Sequence, residues 1–327
     1  MADLFSLADE AQGRRRQMLR TAFGPTIAAA LADPTVIEVM VNPDGKLWIE
    51  RAAVGRQDTG ERIGSAEAER IIRLVAAHVR REVTDKTPIV SAELPETAER
   101  FEGVMPPVAP APCFAVRKPA DVLYRLADYV AARIMSVRQA EVLAIAVRER
   151  KNILVVGGTS SGKTTLVNAL LAEIADLGER VVILVDTREL KCAAADCVAL
   201  RTKPGVATLA DLVRSTLRLR PDRIIVGEVR GPEALDMLKA WNTGHPGGIT
   251  TVHANSAPAG LLRLEQLVQE AVVTVPRDLI VQAIDVVAFL DGRGASRRLE
   301  TVLEVASLDA DGDYLLKPLG RPTLHTV

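Results

Sequence analysis

The feature that most constrains the fold is the stretch from Gly157 to Thr164, whose sequence GGTSSGKT fits the pattern G-x-x-x-x-G-K-[ST]. The apolar run ILVV precedes it, and the run TLVNALLAEI follows it. Glycines let the backbone curl so that its N–H groups point inward, and the start of a helix adds partial positive charge. An apolar strand, a tight loop and a helix in this order therefore predict a phosphate-binding loop and a bound nucleotide.

The residues of this loop and of the first helical turn form the predicted nucleotide site. They are Gly157, Gly158, Thr159, Ser160, Ser161, Gly162, Lys163, Thr164 and Thr165. We expect Lys163 to bridge the β- and γ-phosphates, so that it also counts as catalytic, and the Thr164 hydroxyl to ligate Mg2+. ATP and Mg2+ are thus the expected cofactors, and the full motif disfavours a tight turn without a ligand.

A second strand-like run, Arg223 to Glu228, ends in the carboxylate of Glu228. Open α/β sheets bind ligands at the carboxyl ends of their strands, so Glu228 is the predicted catalytic carboxylate that orients or deprotonates water. The run resembles a Walker B strand in which Gly227 replaces the usual Asp. Asp186 and Glu189 are the candidates to supply the missing acid: we assign Asp186 to the metal and Glu189 to catalysis. A surface ion pair is the alternative for both.

Glycines and histidines are concentrated between Gly244 and Ser256, in GHPGGITTVHANS. Such a stretch indicates a backbone that approaches another group closely. His253, at the end of its short strand, is the predicted sensor of the γ-phosphate. A structural histidine is the alternative, and a metal site shared with His245 is disfavoured because no Cys or further His lies near in sequence.

Length and composition indicate how many domains the chain has and which classes of protein are disfavoured. The chain has 327 residues, 41 basic and 42 acidic, and only 3% aromatic side chains. That length predicts about two domains. Near-neutral charge and few aromatics disfavour a sequence-specific nucleic-acid reader that stacks bases. The sequence shows no secretory signal and no apolar run long enough to span a membrane, and three cysteines cannot form a paired disulfide framework.

Periodicity divides the chain into three segments. Residues 1–118 predict a small α+β domain that includes a hairpin around the turn Asn42 to Gly45. Residues 119–135 are interpreted as a linker. Residues 136–327 alternate helices with short, wholly apolar strands, which predicts a parallel sheet covered on both faces.

Four motifs together resemble the traffic, or secretion, ATPase superfamily. The phosphate loop, DTREL at Asp186 to Leu190, RPDRIIVGEVRG at Arg220 to Gly231 and the histidine stretch match the Walker A, Asp, Walker B and His boxes in the family's order. Spacing over residues 136–290 and the runs RFEG from Arg100 and FAVRKP from Phe114 are similar to the TrbB-type conjugal transfer, or type IV secretion, branch. Val185 departs from the Glu found in many relatives.

The resemblance implies a Mg-dependent ATPase with a PAS-like amino-terminal domain and a RecA-like P-loop domain. It implies a cytoplasmic homohexamer at the inner membrane, working with secretion channel components. It also implies that Arg100 and Arg117 reach the phosphates, with Arg220 and Arg230 as further candidates. Arginine suits this role because its fork donates two hydrogen bonds and keeps its charge.

Three alternatives remain open at this stage. A type IV pilus or type II secretion motor shares the motifs, although the chain cannot build the tetracysteine zinc element of many type II enzymes. A RecA-like DNA motor shares the fold. A nucleotide-dependent switch with little turnover is suggested by Gly227.

A basic cluster lies near the amino terminus and consists of Arg14, Arg15, Arg16 and Arg20. These arginines could contact anionic lipid peripherally, and a solvated helix face is the alternative.

Overall fold

The computed structural model describes residues 18–19, 21–52, 54–94, 99–118, 123–187, 189–203 and 205–319. The chain divides into two compact units, Met1–Asp121 and Val122–Val327. The basic cluster near the amino terminus lies outside the described residues. Among the helices that the structure describes, none combines the length and apolar character needed to cross a bilayer.

The first unit is a six-stranded antiparallel sheet with helices against it. The strands pair in the order β3-β2-β1-β6-β5-β4. They are β1 (Val36–Val41), β2 (Lys46–Arg51), β3 (Gly55–Arg62), β4 (Ile89–Glu93), β5 (Arg100–Val104) and β6 (Cys113–Arg117). Helix α1 (residues 21–32) and helix α2 (Ser65–His78) share one apolar core with the strands. The predicted hairpin is confirmed as β1–β2.

The second unit is built on an eight-stranded sheet ordered β14-β13-β12-β7-β11-β10-β8-β9. Its strands are β7 (Ile153–Gly157), β8 (Arg180–Val185), β9 (Asp196–Arg201), β10 (Arg223–Val226), β11 (Ile249–Val252), β12 (Val286–Asp291), β13 (Arg298–Leu308) and β14 (Tyr314–Pro318). The six strands from β12 to β9 run parallel, and β13 and β14 add an antiparallel edge. The predicted α/β class with a smaller α+β domain before it is confirmed.

Seven helices of the described chain accompany this sheet. They are α3 (Leu126–Ala131), α4 (Val137–Arg148), α5 (Lys163–Ile174), α6 (Leu209–Thr216), α7 (Glu233–Asn242), α8 (Ala257–Gln269) and α9 (Arg277–Ala283). Alternation along β7 explains the two layers, because Leu154 and Val156 enter the core with α6 to α9, whereas Ile153 and Val155 enter the core with α3 to α5. A strand buried on both faces must be apolar throughout, as β7 is.

Helix starts follow their capping residues. The predicted capping box of Ser136 and Gln139 opens α4, with the Gln139 amide donating to Ser136 Oγ at 3.2 Å. Thr208 and Asp211 form an equivalent box at α6.

One predicted boundary differs from the structure. Residues 126–131, interpreted as part of the linker, form α3, and Leu126 and Tyr129 are buried in the core with α4 and α5. Sequence periodicity missed this helix because six residues are too few to show a repeat.

Close packing of α8 on β7 yields a stability prediction. A methyl group at Gly260 would overlap the Cγ2 methyl of Val156. We expect Gly260→Ala to lower the free energy of unfolding by about 1–3 kcal/mol, because overpacking outweighs the helix propensity gained. Val156→Ala alone should cost about 2 kcal/mol through lost packing.

The double variant tests the cause. Removing the Val156 methyls makes room for the new one, so the two losses should fall short of additivity by about 1 kcal/mol or more in a denaturant-unfolding cycle. Strict additivity would contradict the proposed overlap.

Candidate functional site

The phosphate loop joins β7 to α5 and leaves the sheet at its carboxyl edge. Ser160 and Gly162 have positive φ of 63° and 94°. A Cβ at Gly157 would lie 2.7 Å from the carbonyl oxygen of Leu290 on β12, so only glycine fits beside that strand. The chain therefore turns tightly from strand to helix, as the motif predicts.

Lys163 lies under this loop and is almost fully buried. Its Nζ donates to the carbonyl oxygens of Gly157 at 2.9 Å and Gly158 at 3.0 Å, and lies 3.1 Å from Nδ1 of His253. An ammonium group only donates hydrogen bonds, so Nδ1 of His253 must be the acceptor. The proton of the neutral imidazole is consequently on Nε2.

His253 follows β11 and connects the lysine to the predicted catalytic carboxylate. Its Nε2 lies 2.8 Å from Oε1 of Glu228, whose Oε2 accepts from Nη2 of Arg230 at 2.7 Å. Parallel pairing of β7, β11 and β10 explains the arrangement, because their carboxyl ends meet at one edge. The structure thus brings Lys163, His253 and Glu228 together.

The Asp186 segment contacts the same cluster through Arg230. Nη1 of Arg230 lies 3.9 Å from Oδ2 of Asp186, and the Thr202 hydroxyl donates to Oδ1 of Asp186 at 2.8 Å. The hydrogen bond with Glu228 is the main cause that raises the pKa of Arg230, and the charges of Asp186 and Glu189 add to it. Arg230 therefore pairs with two carboxylates, Glu228 and Asp186, and the charge of Glu189 adds to the negative field around it.

Gly227 packs tightly at the position expected to hold an aspartate. A Cβ there would lie 3.0 Å from Cγ1 of Val185, and the Gly227 amide donates to the Leu184 carbonyl at 2.8 Å. The Thr251 hydroxyl donates to the Gly227 carbonyl at 2.9 Å. Glycine at 227 and valine at 185, the two departures seen in the sequence, are thus neighbours.

Two residues that the sequence analysis considered, one as a further candidate arginine and one as a disfavoured metal ligand, lie away from this cluster. Arg220 precedes the amino end of β10 and His245 precedes the amino end of β11, so both lie at the opposite edge of the parallel sheet from the phosphate loop. Arg220 therefore does not reach the phosphate loop of its own domain. Among the described residues, no group of three or more His, Cys, Asp and Glu side chains could hold a metal ion.

Arg100 and Arg117 are neighbours in the first unit. They face each other as paired residues of β5 and β6. Their predicted contact with phosphates stays a prediction.

Sequence reasoning missed two residues beside the site. Asn168 of α5 is buried, donates to the Glu189 carbonyl at 3.0 Å and accepts from the Lys191 amide at 2.9 Å, so it ties the Asp186 segment to α5. Arg297 lies against Gly162 and donates to the Ser160 carbonyl at 3.4 Å. Asn168 could have been suspected as a polar residue within an apolar helix, whereas no motif marks Arg297.

Comparison with known proteins agrees with this geometry. Residues 25–291 match the family model described as "Type II/IV secretion system protein". The chain belongs to this family.

Individual relatives indicate which branch of this family the chain resembles. The chain is 46% identical over 289 residues to conjugal transfer protein TrbB of Rhizobium radiobacter, which spans 88% of this chain and 89% of that one. It is 31% identical over 285 residues to type IV secretion system protein VirB11 of Bartonella quintana, spanning 75% of this chain and 80% of that one. The predicted resemblance to the conjugal transfer and type IV secretion branch is confirmed, and it is favoured over the pilus and type II alternative.

A solved structure supports the fold. The Legionella pneumophila ATPase DotB matches with a TM-score of 0.58 and 18% identity, covering 88% of this chain and 77% of that one.

The histidine contacts predict a perturbed titration. Burial is the main cause that lowers the pKa of His253 below 6.5; Lys163 and Arg230 lower it further, whereas Glu228 raises it. We expect the midpoint of the His253 ring to lie below 6.5 in an NMR titration. Glu228→Gln should lower the pKa further, and Lys163→Met should raise it.

The direction of the His253 pKa shift also determines how the stability of the fold depends on pH. Since the pKa of His253 is lower in the folded chain, its contribution to stability is present above about pH 6.5 and is lost as the pH falls through the folded value. If Glu228→Gln and Lys163→Met shifted the pKa of His253 in the same direction, the contacts assigned to its ring would be contradicted. His253→Gln identifies the resonance.

Proposed function

We propose that this chain is a Mg-dependent ATPase that hydrolyses ATP to ADP and phosphate and powers a type IV secretion or conjugative transfer apparatus. The observation that carries the proposal is the series of close polar contacts from Lys163 through His253 to Glu228, beside a complete phosphate loop. It joins a phosphate-binding cation to a carboxylate able to act on water. A structural turn alone does not require such a series.

The loop binds phosphate by exchanging partners. Lys163 donates to two backbone carbonyls and to His253. Phosphate oxygens carry full negative charge and accept more strongly than carbonyls, so the ammonium turns to them when ATP enters. His253 then loses its donor on Nδ1, and the imidazole becomes sensitive to the γ-phosphate, as the sequence predicts.

Glu228 is the proposed base. It is mostly buried, and its two carboxylate oxygens face His253 and Arg230. Rearrangement of His253 on nucleotide binding frees one carboxylate oxygen to orient and deprotonate a water molecule. Glu189 is held near the cluster by Asn168 and adds negative charge beside Arg230.

The oxygen atoms offered by the residues near the phosphate loop are suited to binding Mg2+. Mg2+ keeps several waters and binds through one or two protein oxygens together with substrate phosphates, so it needs no cage of carboxylates. Thr164, in the first turn of α5, offers a hydroxyl, and the carboxylate of Asp186 at the same edge of the sheet is partly exposed. When bound, the ion would neutralise phosphate charge; Thr164 and Asp186 are the residues that would hold it.

The names of the relatives support a proposal about partners and location. We propose a cytoplasmic homohexamer at the inner membrane that works on secretion channel components and contacts the membrane peripherally. Sequence-specific nucleic-acid binding is not part of this function. Arg100 and Arg117, adjacent on β5 and β6, are the proposed arginines that reach phosphates when the ring closes on ATP.

Turnover measurements test the reaction. We expect Lys163→Ala to abolish ATP binding, and Glu228→Gln to bind ATP while its multiple-turnover rate falls by about 100-fold or more. Glu141→Gln, on the exposed face of α4, is the matched control and should hydrolyse ATP like the wild type.

The outcomes separate the alternatives. Equal rates for Glu228→Gln and wild type would exclude Glu228 as the base. Binding without turnover in the wild type would favour the nucleotide switch, which the glycine at 227 suggests. Stimulation by single-stranded DNA that falls steeply with salt would favour a DNA motor.

Assembly is tested by particle mass. With ATP and Mg2+, we expect mass photometry to find particles with the mass of six copies of the 35.2 kDa chain. A monomer at every nucleotide concentration would contradict the ring.

The role of the amino-terminal arginines is tested by ATP binding. Arg117→Gln should weaken ATP binding, whereas Lys203→Gln should leave ATP binding unchanged.

A further inference from the structure

Arg297 lies beside the phosphate loop because of the sheet order. Strand β12 runs parallel to β7, and Leu290 pairs with Gly157. The chain leaving β12 therefore emerges at the loop, makes a short 3-10 turn at Gly294–Ser296, and reaches Arg297 just before β13. The sequence between β12 and β13 thus delivers a cation to the loop from a distant part of the chain.

The Arg297 side chain covers the second half of the loop. A Cβ at Gly162 would lie 2.9 Å from Nε and 3.3 Å from Cδ of Arg297. Nη2 donates a long hydrogen bond of 3.4 Å to the Ser160 carbonyl. Lys163, by contrast, reaches the carbonyls of the first two glycines, Gly157 and Gly158. The two cations therefore serve different halves of the loop.

The guanidinium keeps an unused donor. Nε of Arg297 is buried and has no hydrogen-bond partner among the residues that the structure describes. A buried N–H without an acceptor is unfavourable, and an acceptor atom of a bound ligand would satisfy it.

Tyrosines add an aromatic surface near this cation. The charge of Arg297 acts on the hydroxyl of Tyr129, which is buried and lacks a hydrogen-bond partner among the described residues. The ring of Tyr124 meets the ring of Tyr129 edge-on at 6.1 Å between centroids, and Tyr124 is 40% exposed. Planar guanidinium groups and exposed tyrosine rings both stack on nucleobases.

We propose that Arg297 binds the nucleoside part of the nucleotide, with its guanidinium plane against the purine base and its Nε–H donating to the ribose. This inference rests on the proposed nucleotide function. Phosphates bound at Lys163 leave the nucleoside to pass out of the loop, and the flank at Ser160 and Gly162 is where Arg297 offers a flat cation. Glycine at 162 is favoured by its positive φ, and it also leaves room for the arginine side chain beside it.

Two ligands distinguish a nucleoside contact from a phosphate contact. ATP carries base, ribose and phosphates, whereas inorganic tripolyphosphate carries phosphates alone. We expect Arg297→Gln to weaken ATP binding by about tenfold in calorimetry with Mg2+, and to leave tripolyphosphate binding within about twofold. Arg297→Lys, which keeps the charge and loses the plane, should lie between wild type and Arg297→Gln for ATP.

The adjacent residue provides the matched control. Arg298 is exposed and paired with Asp291 and Glu300, so Arg298→Gln should bind both ligands like the wild type. Thermal unfolding without nucleotide verifies that each variant is folded.

Each other outcome overturns a defined statement. Equal losses for ATP and tripolyphosphate would assign Arg297 to the phosphates or to loop geometry, and unchanged ATP binding would remove it from the site; either result overturns the inference alone. Failure of the wild type to bind ATP would overturn the proposed function, and the inference with it.

Discussion

The arrangement around the Lys163 ammonium group is the constraint on which the site depends. A buried cation must be surrounded by acceptors, and here two loop carbonyls and one imidazole nitrogen provide them. This requirement fixes the tautomer of His253, and the tautomer fixes which atom of that ring faces Glu228. One charge therefore orients a series of groups on three strands.

Parallel pairing makes this possible. In a parallel sheet every carboxyl end lies at the same edge, so the residues after β7, β10 and β11 converge although they are far apart in sequence. The same rule brings the loop after β12 to the phosphate loop and excludes Arg220 and His245, which precede their strands. Position relative to a strand end, more than residue type, decides which candidates enter the site.

Much of the fold and of the candidate site was predictable from the sequence. The buried runs before Gly157 and Glu228 are apolar throughout, and turn and capping residues mark the ends of α4 and the first hairpin. Helix α3 and strand β9 were not predicted, because one is six residues long and the other is an edge strand none of whose residues is fully buried. In the site, motif order indicated Lys163, Glu228 and His253, but no spacing rule could connect Arg297 to a loop more than 130 residues earlier, since sheet order alone determines that contact.

The glycine at 227 shows how a family pattern can change without loss of the site. A side chain at 227 would require the Val185 side chain to shift, because a Cβ there would lie only 3.0 Å from Cγ1 of Val185. Carboxylate charge is instead supplied from the segment after β8, where Asp186 is oriented by Thr202 and linked to Glu228 through Arg230. Removing one acid from β10 and retaining another at the neighbouring strand end keeps negative charge at the same edge. In the proposed mechanism, the metal-binding role of Asp186 and the base role of Glu228 belong to the ends of two strands, and Arg230 contacts both carboxylates.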